Sequence, residues 1–433
     1  MGIANVTFDD ARSLDGALNL RPGENLLTGV GHFQSYFGNS TSLEEDALTL
    51  ASAIFAADLA FKRGEREQIT RSMQLTVPVV NLAAFNQIRE DLQFALYVLS
   101  HDAWRLSFVQ RQGLPESPAD TTIAIDGKVL LFSGGLDSLA AAVMYGGDGG
   151  DVQLVSHVTG NRVVSGAQQS LFASLNAAFP GVFGRVSLRA GGRNRPGHSF
   201  PGDREREETQ RTRSWLFLTL AALVARRRAI HDVVVIAENG QMAIHLPLSA
   251  ARISAFSTHT AHPEFVQMAQ SILSRLLSFD INVENPFLYM TKGQVVQELV
   301  GSHASLIELA VSCWKASRVS GGLNHCGFCI PCLVRRIGLE TNGLRLAEYR
   351  RDILAEDISR LPPDDDAKRN VCELAEFVTT FEGNRARAEL EEMYPELVNG
   401  SFDADQAIGM YRRFAVEARG VFDRYPNAQS VLR

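Results

Sequence analysis

"VLLFSGGLDSLAAAV", residues 129–143, decides the fold. Val129–Phe132 is an apolar run of strand character, and the alanines and leucines after Ser138 have helical character. Between them stand Ser133, Gly134, Gly135, Leu136, Asp137 and Ser138. A strand that stops at a Gly-Gly turn and restarts as a helix presents unpaired backbone N–H groups at the positive end of a helix dipole, and these attract phosphate oxygens. Gly134 and Gly135 allow the backbone angles and the close approach that other residues resist. Ser133 and Ser138 add hydroxyls. Asp137 repels a phosphate, so it either holds the loop by accepting N–H bonds or reaches a phosphate-bound Mg²⁺. No Gly-Lys-Ser/Thr follows, so this is not a Walker A loop.

Outward from the loop, residues from about 126 to 300 alternate strand and helix. "KVLLF", "VQLVSHV", "RVSLRA", "DVVVIA" and "INVENPF" read as strands. "DSLAAAVMY", "GAQQSLFASLNAAF", "EETQRTRSWLFLTLAALVARRR" and "PEFVQMAQSILSRLLSF" read as helices. This order predicts an α/β unit with a doubly wound parallel sheet covered on both faces. Residues 1–120 read as an N-terminal α+β extension. It has one helix in "STSLEEDALTLASAIFAADLAFKR", with Ser42 and Glu45 in capping-box spacing, and another in "AFNQIREDLQFALYVLS". "QITRSMQLTVPVV" and "WRLSFVQRQ" alternate like strands, and "GLPESPADTT" reads as a linker. The nucleotide unit is expected over 121–340 and a helical region, broken at "LPPDDD", over 341–433.

Four of the five cysteines fall in "CWKASRVSGGLNHCGFCIPC". Cys326, Cys329 and Cys332 keep a Cys-x-x-Cys-x-x-Cys register, with Cys313 upstream. Four thiolates at these spacings can wrap one tetrahedral ion, Zn²⁺ being favoured, with a structural role because no coordination position stays open. An iron–sulfur cluster uses the same ligands, and His325 could replace one cysteine.

The hexad at the end of the first strand of a parallel series resembles the SGGxDS motif of the PP-loop ATP pyrophosphatases. Together with the cysteine pattern it makes the chain similar to QueC, the 7-cyano-7-deazaguanine synthase family, over roughly residues 126–340. "QRTRSWLFLTLAALVA" and "ENPFLYMTKGQVVQEL" look like two further segments of that family. The resemblance implies an adenine nucleotide alpha hydrolase-like sheet. It also implies that Ser133, Gly134, Gly135, Leu136, Asp137 and Ser138 hold ATP with Mg²⁺. The implied reaction adenylates a 7-deazaguanine carboxylate, releases pyrophosphate and lets an amine displace AMP. In the family that amine is ammonia, and a second ATP converts the amide to the nitrile. Leu136 stands where the family usually carries Gln, and both ends of the chain extend beyond the family's length. In these features, and in "STHTAHPEF", the chain resembles the longer QueC-like proteins of anti-phage defence systems, the QatC type. For those the resemblance implies a partner protein as the source of the amine.

Ligands of open α/β sheets bind outside the carboxyl ends of the strands. Glu238 and Asn239 follow "DVVVIA" directly and should face that crevice, Glu238 as an acceptor for a guanine-like ring. Arg213 should open a helix and grip a carboxylate or phosphate. Arg252, Ser257, His259 and His262 form a polar stretch suited to substrate contacts. Lys292, behind the helix cap Thr291, could neutralise charge in the transition state. The segment 189–213, with seven arginines and four glycines, reads either as a mobile basic lid or as a surface loop.

The net charge of −7 argues against charge-driven nucleic-acid binding, and no apolar run approaches a membrane span. The expected location is the cytoplasm. Two other function classes compete: a PP-loop tRNA sulfur transferase and a non-catalytic assembly subunit. Against the first, no cysteine lies between Asp137 and Cys313; against the second, the hexad is intact. Residues 1–120 are expected to dock the protein partner whose amine is modified, since an enzyme using ammonia has no need of them.

Overall fold

The computed structural model describes residues 1–8, 13–64, 70–113, 126–158, 160–230, 234–248, 260–345 and 349–429. The chain opens with a strand that the sequence pattern did not predict. β1 (Gly2–Val6) lies inside a four-stranded sheet of order β2-β1-β4-β5, with β2 (Leu18–Leu20), β4 (Ser72–Val79) and β5 (Ala103–Gln110). β3 (Leu26–Leu27) lies outside it. All neighbours in this sheet are parallel. After α1 (Val30–Phe37), helix α2 (Ser42–Ala60) crosses from the β1 side to β4, and α3 (Leu82–Ser100) crosses from β4 to β5. The expected α+β extension is therefore corrected to parallel α/β, because parallel neighbours need helical crossovers, which α2 and α3 supply. The α2 capping box lies one residue before the expected pair. Thr41 accepts the Glu44 N–H, and the Glu44 carboxylate accepts the Thr41 N–H.

The predicted nucleotide sheet is present. β6 (Gly127–Leu131), β7 (Asp151–His157), β8 (Phe183–Leu188), β10 (Val234–Val235) and β11 (Val283–Glu284) pair in parallel in the order β11-β10-β6-β7-β8. β9 (Gly191–Gly192) leaves this sheet and pairs antiparallel with β3. α4 (Leu136–Gly147) and α5 (Arg162–Ala178) pack on one side of the strands; α6 (Arg213–Arg228) lies across β6, β7 and β10. α7 (Gly240–Ala243), α8 (Pro263–Leu277) and α9 (Lys292–Gln297) complete the unit.

The two sheets share one core. α6 is buried almost all round, as a helix sandwiched between layers must be. It packs on α2, and α8 packs on α3. Leu48, Ile54, Ile88 and Leu92 of the first unit thus join Trp215, Leu220, Phe265 and Leu273 of the second in one apolar cluster. The arginine-rich segment 189–213 runs largely along the surface and is tied to the first unit. Besides the β3–β9 pairing, Arg193 donates to the Gly23 and Glu24 carbonyls, both at 2.7 Å, and Lys62 donates to the Arg204 carbonyl at 2.6 Å.

The C-terminal region is helical, as expected: α10 (Ile330–Thr341), α11 (Asp366–Glu382), α12 (Arg387–Met393), α13 (Ala404–Phe422) and α14 (Pro426–Gln429). Ile337, Phe377, Phe381, Tyr411 and Phe414 build a second core there. α13 lies against α7, α9 and α10.

Candidate active site and cysteine centre

Strand order reverses at β6, whose neighbours β7 and β10 lead in opposite directions, and this opens a crevice at the carboxyl ends of β6 and β10. The glycine loop follows β6 and Glu238–Asn239 follows β10, so the fold brings both to the crevice. Gly134 has φ +85°, which only glycine takes without strain, and a Cβ there would lie 3.1 Å from Gln168 Cγ. The loop is braced on two sides. Buried Gln168 donates to the Ser133 carbonyl at 3.2 Å, and the Val311 N–H donates to the Gly134 carbonyl at 2.9 Å. Ser133 Oγ accepts the Gly135 N–H at 3.2 Å and lies 3.2 Å from Ser138 Oγ. α4 begins at Leu136, so the amides of its first turn have no intrahelical acceptor.

Asp137 and Lys292 meet, which the sequence left as separate candidates. Lys292 Nζ donates to Asp137 Oδ2 at 2.5 Å, and both side chains are at least nine-tenths buried. Asn239 Nδ2 donates to the same oxygen at 3.2 Å and to Glu238 Oε1 at 3.0 Å. Burial alone would raise the Asp137 pKa. The Lys292 ammonium, a hydrogen bond from Glu238 and the Asn239 amide outweigh it and hold the carboxyl below its usual range. Glu238 moves the other way: burial, then the Asp137 charge, push it well above the ordinary glutamate value. Between the two, the environment favours charge on Asp137, beside Lys292, over charge on Glu238. Asp137 Oδ1 has no donor among the described residues unless Glu238 supplies its proton. Asn285, not singled out in the sequence, aligns this strand end by accepting the Glu238 N–H at 3.2 Å and donating to its carbonyl at 2.8 Å.

Arg213 opens α6, as expected, and stacks 4.9 Å from the Phe217 ring. It has no carboxylate partner among the described residues, and burial pulls its guanidinium down to about 10. His262 caps α8, accepting the Glu264 N–H at Nδ1 (3.3 Å), with its ring against Phe402. Arg252, Ser257 and His259 lie outside the described residues.

Cys313, Cys326, Cys329 and Cys332 converge, all buried, with their sulfurs within 4.8 Å of one another. Cys313–Cys329 and Cys326–Cys332 are 3.9 Å apart. Four thiolates at about 2.3 Å from one Zn²⁺ stand about 3.8 Å apart, so the cluster fits a tetrahedral ion. Backbone N–H groups of Lys315, Cys326 and Cys329 point at the sulfurs, as they do around thiolate. Gly327 is required: φ is +88°, and a Cβ would fall 2.0 Å from the Arg351 carbonyl. His325 is not a fifth candidate, since its Nε2 accepts the Ser312 N–H at 3.3 Å. α10 carries Cys332 and connects this centre to the crevice. Its Arg335, fully buried, donates to the Ile307 carbonyl at 2.7 Å, and its Gly338 lies against the Lys292 stem.

A glycine hexad at the switch point of a parallel sheet, faced by a buried Lys–Asp pair, defines a nucleotide-handling α/β protein of PP-loop type. The chain belongs to the QueC family: the profile described as "Queuosine biosynthesis protein QueC" matches residues 127–343. It is 26% identical over 228 residues to 7-cyano-7-deazaguanine synthase 1 of Mesorhizobium japonicum, covering 50% of this chain and 90% of that protein. It is also 26% identical over 248 residues to 7-cyano-7-deazaguanine synthase of Paracoccus denitrificans, covering 53% of this chain and 97% of that protein. Among the described residues, no helix is long and apolar enough to cross a membrane.

Proposed function

We propose that this chain is an ATP-dependent synthase that adenylates a 7-deazaguanine carboxylate and passes the acyl group to an amine. The carrying observation is the buried Lys292–Asp137 pair beside the SGGLDS loop at the sheet's switch point. The open amides of α4's first turn and the Ser133 and Ser138 hydroxyls suit the β- and γ-phosphates. A substrate carboxylate oxygen attacks the α-phosphorus, the bond from phosphorus to the bridging oxygen breaks, and pyrophosphate leaves with the electron pair. Lys292 lies where negative charge grows during that step. The amine nitrogen then attacks the acyl carbon, the bond to AMP breaks, and the nitrogen loses a proton. Arg213 is the cation suited to hold the carboxylate before activation. Asp137 Oδ1, faced by no donor other than the Glu238 carboxyl, suits a phosphate-bound Mg²⁺, which would neutralise phosphate charge; the four cysteines suit a structural Zn²⁺.

The finer reading is that the amine belongs to a partner protein, in an anti-phage defence setting. It is supported by the half of this chain that lies outside the family match. The inner faces of α2 and α3 are spent on the shared core, so any docking surface lies elsewhere on the added regions. The test incubates the protein with ATP and a 7-deazaguanine carboxylic acid and resolves the nucleotides. AMP and pyrophosphate are expected, with a loss of about 10²–10³-fold in Lys292→Ala and Asp137→Ala. ADP as the main product, or wild-type AMP formation by both variants, would overturn the assignment.

A further inference from the structure

Lys292 sits in the first turn of α9, a helix of only six residues that cannot hold itself in place. Its surroundings are fixed by α13, which lies outside residues 127–343 matched by the family. The Thr291 hydroxyl donates to Glu417 Oε1, and the same carboxylate lies against Gly293. A Cβ on Gly293 would come within 2.6 Å of Glu417 Oε2, so the helix and the turn touch here. Thr291 Oγ1 also accepts the Gln294 N–H at 3.1 Å, so its one proton is committed to Glu417. Earlier on α13, Arg413 Nη2 donates to the Tyr289 carbonyl at 2.7 Å. Met410 Sδ accepts from Gln241 Nε2 at 3.1 Å, and Gln241 Oε1 in turn accepts the Lys292 N–H at 3.1 Å. Met410, Arg413 and Glu417 stand at i, i+3 and i+7 and so share one face of the helix.

We propose that α13 is a positioning element of the active site, in which Glu417 sets the Thr291–Gly293 turn so that Lys292 is aimed at Asp137. Glu417 touches no reacting atom. The inference rests on the assignment of Lys292 and Asp137 given above, and adds that a helix from outside the family unit completes their geometry.

The full-length protein is assayed for AMP and pyrophosphate as wild type, Glu417→Ala, Glu417→Gln, Thr291→Val and the Glu417→Ala/Thr291→Val double variant. Misaiming a group by about 1 Å costs up to about 100-fold, so Glu417→Ala is expected to lower kcat by about 10- to 100-fold. KM for ATP should stay within about twofold, because the loop amides are untouched. Glu417→Gln keeps an oxygen for the Thr291 hydroxyl and should recover most of kcat. Thr291→Val removes the same bond and the α9 cap as well, so it should lose at least as much as Glu417→Ala, and the double variant should be no worse than Thr291→Val alone. Wild-type kcat in folded Glu417→Ala, a raised KM at unchanged kcat, or additive losses in the double variant each overturn the proposal. If Glu417→Ala does not fold, Thr291→Val decides alone: a wild-type kcat there overturns it. Lys292→Ala, measured alongside, separates the two levels. Full activity in that variant removes the active-site assignment itself, whereas its inactivity beside a fully active Glu417→Ala removes only the role of α13.

Discussion

Asp58→Ala probes how the first sheet unit is fastened to the second. Asp58 is fully buried in α2. Its Oδ1 takes the Arg71 guanidinium, and Arg63 Nη2 lies 3.7 Å away. Its Oδ2 accepts the Thr212 N–H at 2.9 Å and the Thr212 hydroxyl at 3.0 Å, just ahead of α6. Around it Asp102 and Glu207 complete the acids, and Arg63, Arg71 and Arg211 the bases. The charges cancel three against three. Alanine leaves three guanidiniums on two carboxylates, with Arg63 and Arg71 side chains only 8% and 7% exposed. Removing one partner from a buried ion network costs about 3–5 kcal/mol, and losing the acceptor at a helix start costs about 1 kcal/mol more. Against a native stability of about 5–15 kcal/mol this is severe. The urea midpoint, followed by tryptophan fluorescence, should fall by about 1 M or more. Asp58→Asn keeps an oxygen for Thr212 and loses only the charge, so it should fall between alanine and wild type. Adenylation by Asp58→Ala should drop as well, because Thr212 immediately precedes Arg213. Stability of Asp58→Ala within about 1 kcal/mol of wild type would refute this account of the joint.

Metal analysis should find about one zinc per chain, with Cys329→Ser losing the metal and much of the folded protein, because binding and local folding are coupled. Gly327→Ala should do the same through its clash with the Arg351 carbonyl; a metal-free Cys329→Ser chain with the wild-type urea midpoint would remove the structural role. His157 is enclosed by Phe55 and Phe217 and donates from Nε2 to the Ala190 carbonyl at 2.9 Å; burial, then the Arg213 charge, push its pKa down to about 3. The unfolded chain takes up that proton near pH 6.5 and the folded chain does not. Stability is therefore untouched above about pH 6.5 and falls as pH drops toward 3, by about 2 kcal/mol at pH 5. His157→Gln should flatten the loss between pH 7 and pH 5 in urea titrations, and an unchanged slope would show that another group carries it.

Local chemistry made the nucleotide unit legible. The hexad, the β-rich runs that became β6, β7 and β8, the Thr291 cap and the four cysteines all carry their signal within a few residues. Asp137, Lys292, Glu238 and Asn239 could each be named, but their convergence could not, because it depends on strand order. β1 was missed since "GIANV" has neither length nor alternation; it is a strand because β4, some seventy residues later, pairs with it. The 189–213 segment looked mobile because arginine and glycine are usually solvated. Its partners are carbonyls and a carboxylate of the first unit, which no local pattern reveals. Glu417 gave no signal at all, being one acid among many on an amphipathic helix.

The shared core also sets a timetable for synthesis. The first sheet with α2 and α3 is complete by Gln110, yet α8, which covers α3, ends at Leu277. At about 5–20 residues per second, ribosomes need roughly 8–33 s to make what lies between. Through that interval the side of α3 that α8 covers lacks its partner on the nascent chain. Synthesis of the first unit therefore runs well ahead of the helix that completes its outer packing.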